Sequence, residues 1–113
     1  MTMRMLVDEL IEAWKSGDAV RASAFFALDG EYVESGREPI RGREAIQTHF
    51  QRFFRDGPNW RLDVDAVVAE ADLAAVAYRF SIKGDRDEWG ERVGCAFVAR
   101  RDGLIARWRE YQG

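Results

Sequence analysis

Cysteine and histidine are scarce in this sequence, and no charge sign dominates it. A single cysteine excludes an internal disulfide, and a single histidine argues against a histidine-rich metal site. We therefore expect no metal and no cofactor. The net charge is −3 and the basic residues are scattered, so the chain offers no positive surface for nucleic acid.

Long apolar segments are also absent. No apolar run approaches the roughly 20 residues that cross a bilayer, so we expect no membrane partner. Acidic residues occur as early as Asp8 and Glu9, which is too early for a signal peptide. We therefore expect a cytoplasmic protein.

The composition is that of an ordinary folded domain with many aromatic residues. A length of 113 residues fits one domain over residues 1–113, and 47% hydrophobic content argues against disorder. Aromatic residues make up 12% of the chain, with four Trp and seven Phe. Aromatic walls suit a core that surrounds a cavity.

Three segments of the first half have helical periodicity. Apolar residues recur at steps of three and four over residues 3–16, which predicts an amphipathic helix. Gly17 and Asp18 suit its end and the start of a second helix over about 18–28, whose apolar residues are Val20, Ala24, Phe25 and Leu28. Residues 43–56 predict a third helix with an inward face of Ile46, Phe50, Phe53 and Phe54.

The remaining segments alternate as strands do. Residues 31–34 predict a short strand, and residues 36–42 a loop, in part extended. Four longer strands are predicted over 59–69, 73–83, 89–100 and 104–112. Helices followed by a meander of strands indicate an α+β domain, with three helices on one face of a curved antiparallel sheet.

The last strand contains the most informative residues. Alternation places Trp108, Glu110 and Gln112 on one face, and Ile105, Arg107, Arg109 and Tyr111 on the other. A carboxylate beside an indole is costly to bury unless a partner or a reaction uses it. This face therefore predicts a bonded partner or a chemical role for Glu110.

Three local patterns resemble the nuclear transport factor 2-like superfamily, in its SnoaL-like branch. They are Trp14–Asp18 continuing into Phe26–Tyr32, then Ile40–Ile46, and finally Asp102–Ile105 with Trp108–Tyr111. The resemblance implies a cone-shaped fold over nearly the whole chain. Members of this superfamily differ widely in function, so the fold transfers and the chemistry does not.

The resemblance to the steroid isomerases is incomplete. Their general base is a carboxylate on the first short strand, and Glu34 occupies the matching position. Their two hydrogen-bond donors fall at Leu10 and near Gly94 or Cys95, which cannot do that work. The resemblance implies a base without its electrophilic partners.

The resemblance to the limonene-epoxide hydrolases is incomplete as well. Glu110 takes the place of their last catalytic acid, and Tyr32 and Glu34 match the residues that hold water. Tyr78 and Phe80 stand where an Arg and an Asp are needed, so we expect no appreciable hydrolysis of limonene-type epoxides. A one-residue slip of strand 73–83 would instead turn Arg79 inward.

The candidate catalytic residues are Glu34 and Glu110, as a carboxylate pair whose pKa values are pushed apart. Arg92 could neutralise one of them, bind an anionic ligand, or lie exposed and paired with Glu91 or Asp87. We expect His49 to be a surface or rim residue. The candidate ligand pocket comprises Trp14, Tyr32, Tyr78, Phe80, Arg92 and Trp108.

Three functions stay open from the sequence. The first is a small-molecule enzyme without a cofactor, such as an isomerase, cyclase, lyase or hydrolase that uses a pocket glutamate for proton transfer. The second is a non-catalytic domain that binds an apolar metabolite, and the third is a protein-interaction module. A pocket-facing Arg92 would leave Val93, Cys95 and Phe97 outward, which predicts a homodimer through the sheet.

Overall fold

Three helices pack on the concave face of a six-stranded sheet. The computed structural model describes all 113 residues. The helices are α1 (Met3–Lys15), α2 (Ala19–Ala24) and α3 (Arg43–Asp56). The strands are β1 (Phe26–Val33), β2 (Ile40–Arg41), β3 (Trp60–Glu70), β4 (Leu73–Lys83), β5 (Trp89–Arg101) and β6 (Leu104–Gln112). The predicted α+β architecture is therefore present. None of the three helices combines the length and the apolar character that a membrane span needs.

Capping residues mark the start of the first two helices and the end of the first. Thr2 caps α1, because its hydroxyl accepts a hydrogen bond from the backbone of Met5 at 3.1 Å. Gly17 follows α1 with a φ of 74°, a left-handed conformation that glycine adopts without steric cost. Asp18 then caps α2 through the backbone N–H of Arg21.

The second helix is much shorter than the predicted span of 18–28. It ends at Ala24, and the chain enters β1 at Phe26, five residues before the predicted strand 31–34. Phe26 pairs with Ile105 of β6, and this long-range pairing overrides the local helical pattern. Leu28, which a longer helix would turn inward, is 76% exposed.

The strands follow the order β2-β1-β6-β5-β4-β3. All neighbours are antiparallel except β1 and β6, which are parallel, so the expectation of a wholly antiparallel sheet was wrong at this pair. The parallel pair places Tyr32 opposite Trp108. The first and last strands of the fold therefore lie side by side, as the second and third strands of the sheet.

A bulge in β6 corrects the predicted face of Ile105. Strict alternation places Ile105 outward with Arg107, but Ala99 pairs with Arg107 while Arg100 pairs with Ile105. The extra residue, Ala106, reverses the alternation. Ile105 is consequently fully buried in the core, whereas Trp108 and Glu110 keep the predicted inward orientation.

Candidate functional site

A cavity of about 530 Å³ lies between the helices and the concave face of the sheet. Of its 21 lining residues 14 are hydrophobic, which is typical of pockets for small apolar molecules. All of the sequence-predicted site residues line it: Trp14, Tyr32, Glu34, Tyr78, Phe80, Arg92, Trp108 and Glu110. Their roles in binding or catalysis stay predictions.

Aromatic rings enclose one end of the cavity. The indole of Trp14 stacks on Phe53, with ring centroids 5.5 Å apart, and lies 4.6 Å from the ring of Trp60. Phe80 completes the group at 6.0 Å from Trp14. These rings come from α1, α3, β3 and β4, so this wall depends on the packing of helices against the sheet.

Glu110 has an open carboxyl oxygen on the cavity floor. Trp108, two residues earlier on the same face of β6, donates its indole N–H to Oε2 of Glu110 at 3.1 Å. The hydroxyl of Tyr32 donates to the same oxygen at 3.2 Å. The second oxygen, Oε1, accepts no hydrogen bond from the chain and is not sealed from the cavity. It is therefore available to a bound molecule.

Burial sets the protonation of Glu110. The pKa of Glu110 is raised from 4.5 to about 7, chiefly because removal from water outweighs the opposing hydrogen bonds from Trp108 and Tyr32. The charge of Glu34 contributes to this increase, whereas that of His49 opposes it. Near neutral pH the carboxyl is thus divided between its acid and base forms, as general acid–base chemistry requires.

The pKa of Glu34 is shifted in the opposite direction, below its ordinary value. It follows the last residue of β1, and its Oε1 lies 3.2 Å from Nε2 of His49 on α3. The hydrogen bond from His49 lowers the pKa of Glu34 despite partial burial, and the charge of Arg37 acts in the same sense. The site therefore holds one carboxylate that stays ionised and one that takes up a proton near neutrality.

His49 lies at the cavity rim, and its contact with Glu34 was not predicted. Its side chain is 32% exposed and lines the cavity beside the ring of Tyr32. A signal was available, because His49 comes three residues after Ile46 and four before Phe53 on the inward stripe of α3. Helical spacing therefore placed it with the core-facing residues.

Tyr78 reaches across the sheet floor towards β6. It lies on β4 directly opposite Gly94 of β5, and Gly94 in turn lies opposite Gln112. The side-chain amide of Gln112 donates to the hydroxyl of Tyr78 at 3.3 Å. Gln112 was not among the predicted site residues, although strand alternation placed it on the face of Trp108 and Glu110.

The arginines do not meet the carboxylates as one hypothesis required. Arg92 lines the cavity opposite Phe80 but is exposed, and it forms no ion pair with Glu34 or Glu110. Arg79 lies on the other face of the sheet, where it pairs with Asp65 at 3.1 Å. Strand β4 thus has the register in which Tyr78 and Phe80 face the cavity. No group of three His, Cys, Asp or Glu side chains is arranged to hold a metal ion.

A helix-covered, curved sheet with a cavity on its concave side defines a class of small α+β domains. Residues 7–108 match the family model of the SnoaL-like domain, so the chain belongs to the SnoaL-like family, which has the nuclear transport factor 2-like fold. No curated protein sequence matches the chain.

Solved structures with this fold include proteins of several activities. The chain is similar to an epoxide hydrolase of M. tuberculosis, described as limonene-epoxide-hydrolase-like, with 19% identity, a TM-score of 0.81 and coverage of 96% of this chain and 80% of that one. It is similar to SalBIII, an epoxide hydrolase/cyclase-like enzyme of salinomycin pyran ring formation, with 15% identity, a TM-score of 0.84 and coverage of 98% and 90%.

A third similar structure has the ketosteroid isomerase-like fold. It is a hypothetical protein from Catenulispora acidiphila DSM 44928 in complex with trimethylamine. The identity is 21%, the TM-score is 0.80, and the alignment covers 94% of this chain and 83% of that one. At these identities the three likenesses establish the shared fold and leave the reaction open.

The raised pKa of Glu110 predicts a pH-dependent stability. Between about pH 4.5 and 7 the unfolded chain has released this proton while the folded chain retains it, so the free energy of unfolding falls as pH rises. The loss should be on the order of 3 kcal/mol and complete above about pH 7. Glu110→Gln should lack this decline when urea unfolding of both proteins is followed from pH 4 to 8.

The wild-type protein and Glu110→Gln share every other titrating group, so the difference between their curves isolates this carboxyl. The lowered pKa of Glu34 acts below its ordinary value of 4.5, outside the window. Parallel stability curves for the two proteins would contradict a buried Glu110 with a raised pKa.

Proposed function

We propose that this protein is a cofactor-independent enzyme that transfers a proton on an apolar small molecule, with Glu110 as the acid–base residue. One observation carries the proposal: Glu110 presents an unbonded Oε1 to an apolar cavity, while two donors hold its Oε2. Burial gives this carboxyl a pKa of about 7. The group can therefore accept or release a proton at neutral pH.

Glu34 and His49 influence the protonation of Glu110 in this proposal. Their contact favours the ionised form of Glu34, and the charge on Glu34 in turn raises the pKa of Glu110. A proton at the site consequently resides on Glu110, which faces the aromatic cavity. We assign Glu34 a supporting electrostatic role, with Trp14, Tyr32, Phe80 and Trp108 as walls that exclude water.

The reaction class that fits best is proton abstraction next to a carbonyl, as in an isomerase or cyclase. Oε1 of Glu110 takes the proton from carbon, the C–H electron pair forms the enolate, and the proton returns to the same or another carbon. Hydrolysis of limonene-type epoxides fits poorly, because Tyr78 and Phe80 stand where the Arg and the Asp of the related hydrolases are needed.

Non-catalytic binding is the second candidate. Leu10 lines the cavity where the isomerase relatives have a donor, and Arg92 forms no ion pair with Glu34 or Glu110. A cavity that holds an apolar molecule without turning it over would have this composition. Proton exchange on a bound ketone separates the two functions.

Exchange of carbon-bound protons measures the proposed activity directly. With 2-tetralone in D₂O, followed by proton NMR, the protein should speed the loss of the protons next to the carbonyl. The rate should rise with pH up to about pH 7 and then level off, because the base form of Glu110 does the work. Glu110→Gln should lower the rate about 100-fold or more.

The matched control is Glu70→Gln, which changes an exposed glutamate at the end of β3. This variant should exchange the protons of 2-tetralone at the wild-type rate. If the wild-type protein binds 2-tetralone but adds nothing to the buffer rate, the enzyme proposal fails. The non-catalytic binding function then takes its place.

We also propose a homodimer through the convex face of the sheet. Val93 and Phe97 are 61% and 59% exposed there, and Tyr111 packs its ring edge against Phe97. Val68 and Leu73 extend the apolar surface. Exposed apolar areas of this kind are typical of protein interfaces.

Light scattering at tens of micromolar should give twice the monomer mass. Phe97→Glu should give the monomer mass, because a carboxylate at the centre of the apolar face opposes its burial. Leu28→Glu changes a residue that is 76% exposed on β1 and should leave the dimer intact. A monomeric wild-type protein would exclude the proposed dimer.

A further inference from the structure

Two arginines line the cavity without a role in the proposed reaction. Arg37 belongs to the segment between β1 and β2, and Arg92 belongs to β5. Both are exposed, and neither guanidinium group forms an ion pair or donates a hydrogen bond within the chain. A guanidinium group carries several donors that suit a carboxylate. These two side chains are therefore free to bind an anionic group.

The strand register places Arg92 at the open end of the cavity. Arg92 lies directly opposite Phe80 of β4, so the two side chains share the concave face. On the other side, β6 ends at Gln112, which lies opposite Gly94. Arg92 thus lies beyond the end of β6, next to the aromatic wall of the cavity.

Arg37 is held at the same end of the cavity. The hydroxyl of Ser35 accepts a hydrogen bond from the backbone N–H of Gln112 at 3.2 Å. A tight turn follows, in which the N–H of Arg37 donates to the carbonyl of Glu34 at 3.0 Å and Gly36 has a φ of 74°. The segment that carries Arg37 is therefore fixed to the last residues of β6, the end beyond which Arg92 lies.

The carboxyl of Glu110 lies deeper in the cavity. Glu110 is opposite Ala96, which follows Arg92 on β5 by four residues, or about 13 Å along the strand. The charge of Glu34 also acts on Glu110. The acidic groups are thus at the floor and the two free basic groups are at the mouth. An anionic group is repelled by the first and attracted by the second.

We propose that Arg37 and Arg92 bind a carboxylate group at one end of an otherwise apolar ligand. This assignment rests on the proposed function and narrows its substrate to an apolar keto acid. The acid group stays at the mouth, and the apolar body brings the ketone end to Glu110. The arginines bind and orient the ligand and take no part in the proton transfer.

Two probes of similar shape test this assignment in the intact protein. 2-Naphthoate carries a carboxylate, and 2-acetonaphthone has an uncharged acetyl group in its place. Their dissociation constants can be measured by isothermal titration calorimetry at pH 8, where Glu110 is mostly ionised and repels an acid from the floor. Arg37→Gln and Arg92→Gln should each weaken 2-naphthoate about fivefold, the value of one exposed ion pair, and change 2-acetonaphthone less than twofold.

Salt and a matched control separate charge from shape. The affinity of the wild-type protein for 2-naphthoate should fall as sodium chloride is added, and the double variant should lose most of this dependence. Arg92→Lys keeps the charge and should retain the salt dependence. Arg21→Gln changes an exposed arginine of α2 that does not line the cavity, and it should leave both dissociation constants unchanged.

Equal losses for both probes, or an unchanged affinity of the double variant for 2-naphthoate, would overturn the assignment. These readouts need binding only, so they stand apart from the proton-exchange test with 2-tetralone. Absence of exchange with arginine-dependent binding of 2-naphthoate would remove the enzyme and keep the carboxylate site. Exchange without that dependence would do the reverse.

Discussion

A carboxyl group in an apolar cavity is unstable unless something compensates for the water it loses, and Glu110 meets this constraint with only one of its oxygens. Trp108 and Tyr32 both donate to Oε2, and Oε1 is left to the cavity. The partial compensation is what holds the pKa near 7. With full compensation the group would be an ordinary structural carboxylate, and with none it would stay protonated.

The sheet topology places these groups together. The parallel pairing of β1 with β6 puts Tyr32 next to Trp108, and β1 then ends where Glu34 can meet His49 from α3. The hydroxyl of Tyr32 and the indole N–H of Trp108 thus converge on one oxygen of Glu110. Hydrophobic packing of α1 and α3 closes the cavity over them, so the chemistry of the site depends on the same contacts as the core.

Much of this could be predicted from the sequence, for physical reasons that differ by element. Long segments with clear periodicity, such as α3 and β4, were predicted within a residue of their bounds, because side-chain burial follows the backbone period. The start of β1 and the face of Ile105 were predicted wrongly. Both depend on pairing with a distant strand, and a bulge is invisible to alternation.

The features of the site also divide into those that a local sequence pattern predicts and those that depend on contacts between distant elements. Glu110 and Trp108 were assigned to one face from alternation alone, and the residues opposite them were assigned from the resemblance to known relatives. The contact of His49 with Glu34 and the bond from Gln112 to Tyr78 join separate elements, so no local pattern specifies them.

The most direct test of the account is the titration of Glu110 itself, by carbon-13 NMR of the labelled carboxyl group with Glu110→Gln for assignment. A midpoint near pH 7 is the predicted result, and a midpoint between about pH 4 and 5, the range of an ordinary glutamate, would contradict it.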